Sequence, residues 1–148
     1  MTTFLAIWGA VVSTIAILWN IYRDWADRGR LRVLCYFGKF VGDTPPDPRT
    51  HLAYHVTNVG RRAVVVTHVG GAIKKDRHFM VNTRGPMPRT LQPGEYFVAY
   101  SHDLSILDDN PKALWAIDSI GNYWKISRRA LRQLLASYRA GRDKPAGQ

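Results

Sequence analysis

The stretch HLAYHVTNVGRRAVVVTHV, residues 51–69, decides how the chain is read. In its first half Leu52, Tyr54 and Val56 alternate with Ala53, His55 and Thr57, the two-residue period of a half-buried strand. The second half, Ala63 to Val69, is β-branched and apolar enough for a well-buried strand. Between them, Asn58-Val59-Gly60-Arg61-Arg62 supplies turn residues, so the two runs read as a hairpin.

Working outward, the same alternation precedes and follows this pair. Leu31, Val33, Cys35 and Phe37 share one face of a strand whose other face carries Arg32, Leu34 and Tyr36. The proline-rich run 42–50 then bars a regular ladder and marks a loop. Gly70-Gly71 reads as a bend, followed by a short strand from His78 to Asn82. Leu91-Gln92-Pro93-Gly94 has Pro and Gly placed for a type II turn, which opens a strand from Glu95 to Ser101. Leu114–Ile117 and Tyr123–Ile126 form a further hairpin across Asp118-Ser119-Ile120-Gly121-Asn122. Six to seven short strands spaced roughly 10 residues apart, with no helix between them, predict a mainly β sandwich or small barrel over residues 31–126. Residues 127–140 change period. Leu131, Leu134, Leu135 and Tyr138 recur at helical steps behind a Ser127 cap, which predicts an amphipathic basic helix, and residues 141–148 read as a polar tail.

The first 22 residues contain no charged side chain, whereas all 21 Lys and Arg and all 11 Asp and Glu follow Tyr22. As a helix rising ~1.5 Å per residue, residues 2–22 would span roughly 30 Å, one bilayer crossing. Trp19, Tyr22 and Trp25 would sit at the interface, and 23–30 would link the helix to the domain. No Lys or Arg precedes the helix, while Arg23, Arg28, Arg30 and Arg32 follow it, so the positive-inside rule predicts an outward N-terminus. The expectation is thus a single-pass protein of the inner (cytoplasmic) membrane with its domain in the cytoplasm. A solitary Cys35 fits a reducing compartment. Ala6, Gly9, Ala10 and Ser13 place small residues four apart, a face for self-association of two such helices into a homo-oligomer.

Net charge is +10, and Lys125 to Lys144 hold seven basic residues against Asp143. Arg128, Arg129, Arg132 and Arg139, with the four arginines after the first helix, are therefore candidates for contact with an anionic leaflet. Arg61, Arg62, Lys74, Lys75 and Arg77 form a second basic group, suited to an acidic protein partner or another anion. No helix-turn-helix, zinc-finger spacing or RNA motif accompanies the charge, so nucleic acid is not expected. His51 and His55 lie ~13 Å apart on one strand face, too far for one metal, and no HExxH or CxxC spacing is present. Asp103, Asp108, Asp109 and Asp118 occupy turn positions, Cys35 lies among apolar neighbours, and no glycine-rich phosphate cradle follows Gly70-Gly71. The reading is of a non-enzyme with no cofactor and no metal.

Tyr54-His55-Val56-Thr57-Asn58-Val59-Gly60 with Val64–Val66, the Leu91-Gln92-Pro93-Gly94-Glu95 turn and Asp118-Ser119-Ile120-Gly121-Asn122-Tyr123 resemble turns of immunoglobulin-like β-sandwich domains in small bacterial single-pass membrane proteins. That resemblance covers about residues 31 to 126 and implies a sandwich with an interaction role, bringing no catalytic residues. The expected function is a membrane-anchored, non-catalytic module that binds a protein partner and the anionic leaflet. The architecture is more loosely similar to antiphage effectors in which membrane helices join a ligand-sensing β-barrel. That similarity implies the alternative, an effector that oligomerises on a ligand and perturbs the membrane.

Overall fold

In the computed structural model, residues 2–39, 49–74, 77–82 and 85–142 are described. The chain begins with α1 (Thr2–Ala26) and continues with β1 (Leu31–Gly38), β2 (His51–Asn58), β3 (Val64–Lys74), β4 (Arg77–Met80), β5 (Arg89–Leu91) and β6 (Tyr96–Ser101). After a 3-10 turn at Ser105–Leu107 come β7 (Ala113–Asp118), β8 (Tyr123–Lys125) and α2 (Arg128–Arg142). One sheet has the order β1-β2-β6, and the other has β4-β3-β7-β8 with β5 also pairing β3. Every pairing is antiparallel.

Alternation sends Leu31 and Val33 of β1, Leu52, Tyr54 and Val56 of β2, and Phe97 and Ala99 of β6 into one apolar core. Val64, Val66 and Val69 of β3, with Leu91, Leu114 and Ala116, complete it from the other sheet. Leu131, Leu134 and Leu135 of α2 are buried in this same core, so the helix seals the domain with its apolar stripe and leaves its arginines outside.

Two strand readings change. β2 and β3 are not a hairpin, since β2 pairs only within the three-stranded sheet and β3 only within the other. The segment between them turns a corner from sheet to sheet, held by Asn58, whose amide nitrogen donates to the carbonyls of Arg62 at 2.8 Å and Leu91 at 2.9 Å. β3 also runs through Gly70-Gly71 to Lys74 instead of bending there, because β4 crosses so closely that a Cβ at Gly70 would meet the Phe79 carbonyl.

The N-terminal helix requires a larger correction. Among the described residues no helix is long and apolar enough to cross a membrane. α1 has 25 residues, but between Ile7 and Trp25 it carries Ser13, Thr14, Asn20, Arg23 and Asp24, which interrupt the apolar run. The transmembrane helix expected over residues 2–22 is therefore not supported. The single-pass placement in the inner membrane, with the N-terminus outside and the domain in the cytoplasm, falls with it. The helix itself stands apart from the sheets. Among its described side chains twelve large apolar ones are exposed, including Phe4, Trp8, Ile15, Trp19 and Trp25.

Candidate functional site

Where α1 passes into β1, the backbone is clamped against the corner after β2. The amides of Val59 and Gly60 both donate to the Arg30 carbonyl, at 2.8 and 3.2 Å. Any Cβ on Gly60 would lie 2.5 Å from the Arg28 carbonyl oxygen and would also strike the Arg30 nitrogen, while a Cβ on Gly29 would strike Val64. Glycine at these two positions lets three stretches of main chain touch, which fixes the base of Arg28 relative to β3.

Opposite this clamp, the turn between β7 and β8 is organised by one carboxylate. Asp118 is buried, and its Oδ1 accepts from the backbone amides of Ile120 at 3.1 Å and Asn122 at 2.8 Å. Its Oδ2 accepts from the Asn122 side-chain amide at 3.0 Å and the Trp124 indole at 2.9 Å. Burial alone would raise its pKa, but the combined bonds from Trp124, Asn122 and Ile120 outweigh that and hold it below the usual carboxylate range.

Between clamp and turn lies an open cleft of about 740 Å³, whose rim carries Arg28, Arg62, Ser119, Ile120, Asn122 and Tyr123. Among the described residues neither guanidinium has an ion pair or hydrogen bond, and both arginines are exposed. Among the described residues Asp118 is the only acidic group lining the cleft, and its oxygens are already engaged by four donors. Ile120 is 82 % exposed and Tyr123 half so, offering apolar contact beside the positive charge. The arrangement suits a carboxylate-bearing segment: two planar cations that bind oxygen pairs, polar side chains and a greasy rim. Among the described residues its lining has no histidine or cysteine.

The structure regroups the basic residues anticipated from sequence. Of the second group, Arg62 lines the cleft, whereas Arg61 turns away to an exposed pair with Asp27 at 3.7 Å. Lys74 and Arg77 meet in register at the far end of β3, ten residues or ~33 Å from Val64, so they do not belong with Arg62. Lys75 lies outside the described residues. The four arginines after α1 also separate: Arg28 enters the cleft, Arg30 stacks over Trp25 at 4.6 Å, Arg32 stands on the outer face of β1, and Arg23 is on α1. Arg128, Arg129, Arg132 and Arg139 are exposed on α2, where Arg139 donates to Asn110 at 3.2 Å. On α1, Gly9 has open space around it, Ser13 donates to the Gly9 carbonyl at 2.7 Å, and Ala10 is exposed; the Ala6 side chain lies outside the described residues.

Cys35 is half-buried by its surface, but desolvation pushes its thiol up to about 12, so it is not a nucleophile at neutral pH. The Tyr54 phenol behind it is raised by burial and by the Cys35 thiol. Among the described residues no three His, Cys, Asp or Glu side chains are grouped to hold a metal. Sequence reasoning missed the pairing of Arg28 with Arg62 and the contribution of residues 119–124. One signal was present in the sequence: Asp118 stands two residues before Ile120 and four before Asn122, whose amides donate to it. Comparison of the chain with family models, curated proteins and solved structures yields no match.

Proposed function

We propose that this protein is a non-catalytic interaction module that binds an acidic segment of a protein partner in the cleft between the α1–β1 junction and the β7–β8 turn. The observation carrying this reading is the convergence of two guanidiniums, Arg28 and Arg62, uncommitted among the described residues, on a cleft whose only carboxylate among those residues is saturated. Charge-assisted hydrogen bonds contribute about 1.5–3 kcal/mol each, so two arginines acting together set affinity, while Ile120 and Tyr123 add contact area. Net charge of +10 speeds encounter with acidic surfaces but selects none of them; selection falls to the rigid cleft.

Fluorescence anisotropy with the full chain and a fluorescein-labelled Glu/Asp-rich peptide containing one tyrosine tests this. Exchanging both cleft arginines, Arg28→Glu with Arg62→Glu, is expected to weaken binding at least about tenfold. Exchanging Arg129→Glu with Arg132→Glu on α2 removes the same charge elsewhere and should alter affinity less than about threefold. Equal loss in the two double variants would mean that only net charge matters and would overturn the proposal. Failure of the peptide to bind, with inorganic phosphate or free glutamate protecting the cleft instead, would move the reading to a small-anion sensor.

A further inference from the structure

We infer that α1 is an assembly helix, which packs against α1 of a second copy of this chain as a coiled coil. Phe4, Trp8, Val11, Ile15, Leu18, Tyr22 and Trp25 follow one another at alternating steps of four and three residues along the helix. That alternation is the heptad repeat of a and d positions, kept here through three heptads, and it lines all seven side chains along one seam. Ile7, Val12, Trp19 and Ile21 flank the seam at the e and g positions. The opposite side is small or polar, with Ala10, Ser13, Asn20 and Asp24, and among the described side chains only Ile17 is a large apolar one there. Ser13 turns its hydroxyl back on the Gly9 carbonyl. A helix surrounded by lipid has no use for such a back, whereas one that pairs in water needs it.

The size of the exposed face selects the partner. The seven seam residues are 45–67 % exposed, and at ~150–250 Å² for a large side chain they present roughly 800 Å² on each copy. A lone chain ordinarily leaves no apolar patch beyond ~300–600 Å² uncovered, while each half of a stable interface supplies ~800 Å². Among the described residues no other helix of the chain is free to cover it, because the apolar stripe of α2 is already buried against the sheets. An identical helix offers the same spacing, so the knobs of one copy meet the holes of the other along the full seam. Residues 2–22 carry no charged side chain, so the paired helices do not repel each other there. The seam stops where the domain begins. Arg30 stacks over Trp25, its last residue, and Asp27 pairs with Arg61 beyond it. The root of the helix is thereby tied to the sheets, and the length before it is left for the second copy.

Sedimentation equilibrium of the full chain in detergent-free buffer tests this. The fitted mass is expected to be a whole multiple, two or more, of the 16.8 kDa chain. Lysine placed on the seam, Ile15→Lys with Leu18→Lys, is expected to raise the dissociation constant at least about tenfold, since a buried unpaired charge opposes packing. The same charge on the opposite side, Ser13→Lys with Asn20→Lys, should change it less than about threefold. Amide spectra of the sheet residues that match the parent in both variants separate loss of assembly from loss of fold. The Arg28→Glu, Arg62→Glu double variant should assemble as the parent does, which keeps the seam distinct from the cleft. A single-chain mass at about 100 μM, equal weakening by the two lysine pairs, or a polydisperse aggregate would each overturn the inference. So would a monomer that is held only by phosphatidylcholine vesicles.

Discussion

Two buried polar residues determine the geometry at both ends of the cleft. Asn58 is fully buried, and besides its two donated bonds its Oδ1 accepts from Gly60 while its backbone bonds Glu95 and Gly94. Truncation in Asn58→Ala would leave the carbonyls of Arg62 and Leu91 without this donor, at a cost of about 2–4 kcal/mol, read as a lower midpoint in urea unfolding. Asp118 gives a pH-dependent counterpart. Because its folded pKa is depressed below the unfolded value, its contribution is complete above the unfolded value of about 4 and is lost as pH falls through the folded one. Acid unfolding of Asp118→Asn is therefore expected to show a shallower pH dependence below about pH 4 than the parent. An unchanged acid limb would mean the carboxylate is not held ionised by Trp124, Asn122 and Ile120.

Among the elements, α2 illustrates what periodicity makes legible. The three- and four-residue spacing of Leu131, Leu134 and Leu135 marks an apolar stripe without saying what covers it; in the structure it lies on α2 and is buried in the sheet core, and Ser127 accepts from the Ala130 amide at 3.1 Å as a cap should. Leu134→Ala is expected to destabilise the domain by about 2–4 kcal/mol, whereas Arg132→Ala on the outer side should stay within about 0.5 kcal/mol, both by chemical denaturation. The β2–β3 pair shows the opposite. Alternation marks each strand, and Asn58-Val59-Gly60 is a competent turn, but neither states which sheet a strand joins. That choice is made by long-range bonds, from Asn58 to Leu91 and from Ser119 to the Val65 carbonyl, between residues far apart in sequence.

For the whole molecule, counting charges and summing hydropathy lead to different conclusions about α1. The absence of Lys, Arg, Asp and Glu before Arg23 reads as a bilayer crossing, but the described helix also contains Ser13, Thr14, Asn20, Arg23 and Asp24 and is not apolar enough to span one. Formal charge ignores neutral polar groups, and a helix continues past the point where charge begins. The same holds for the basic residues: their number sets the sign of the field, and the fold decides which converge. Arg61 and Arg62 are adjacent in sequence, yet one pairs with Asp27 and the other joins Arg28 across the clamp at Gly60. That convergence is the basis of the proposed recognition of an acidic segment. It is tested most directly by titrating the Glu/Asp-rich peptide into the ¹⁵N-labelled full chain and following each amide. Saturable movement of Arg28, Gly29, Arg62, Ser119 to Trp124 and the Trp124 indole, with Arg128–Arg142 stationary, is the predicted result. Movement centred on the arginines of α2, or none at saturating peptide, would contradict it.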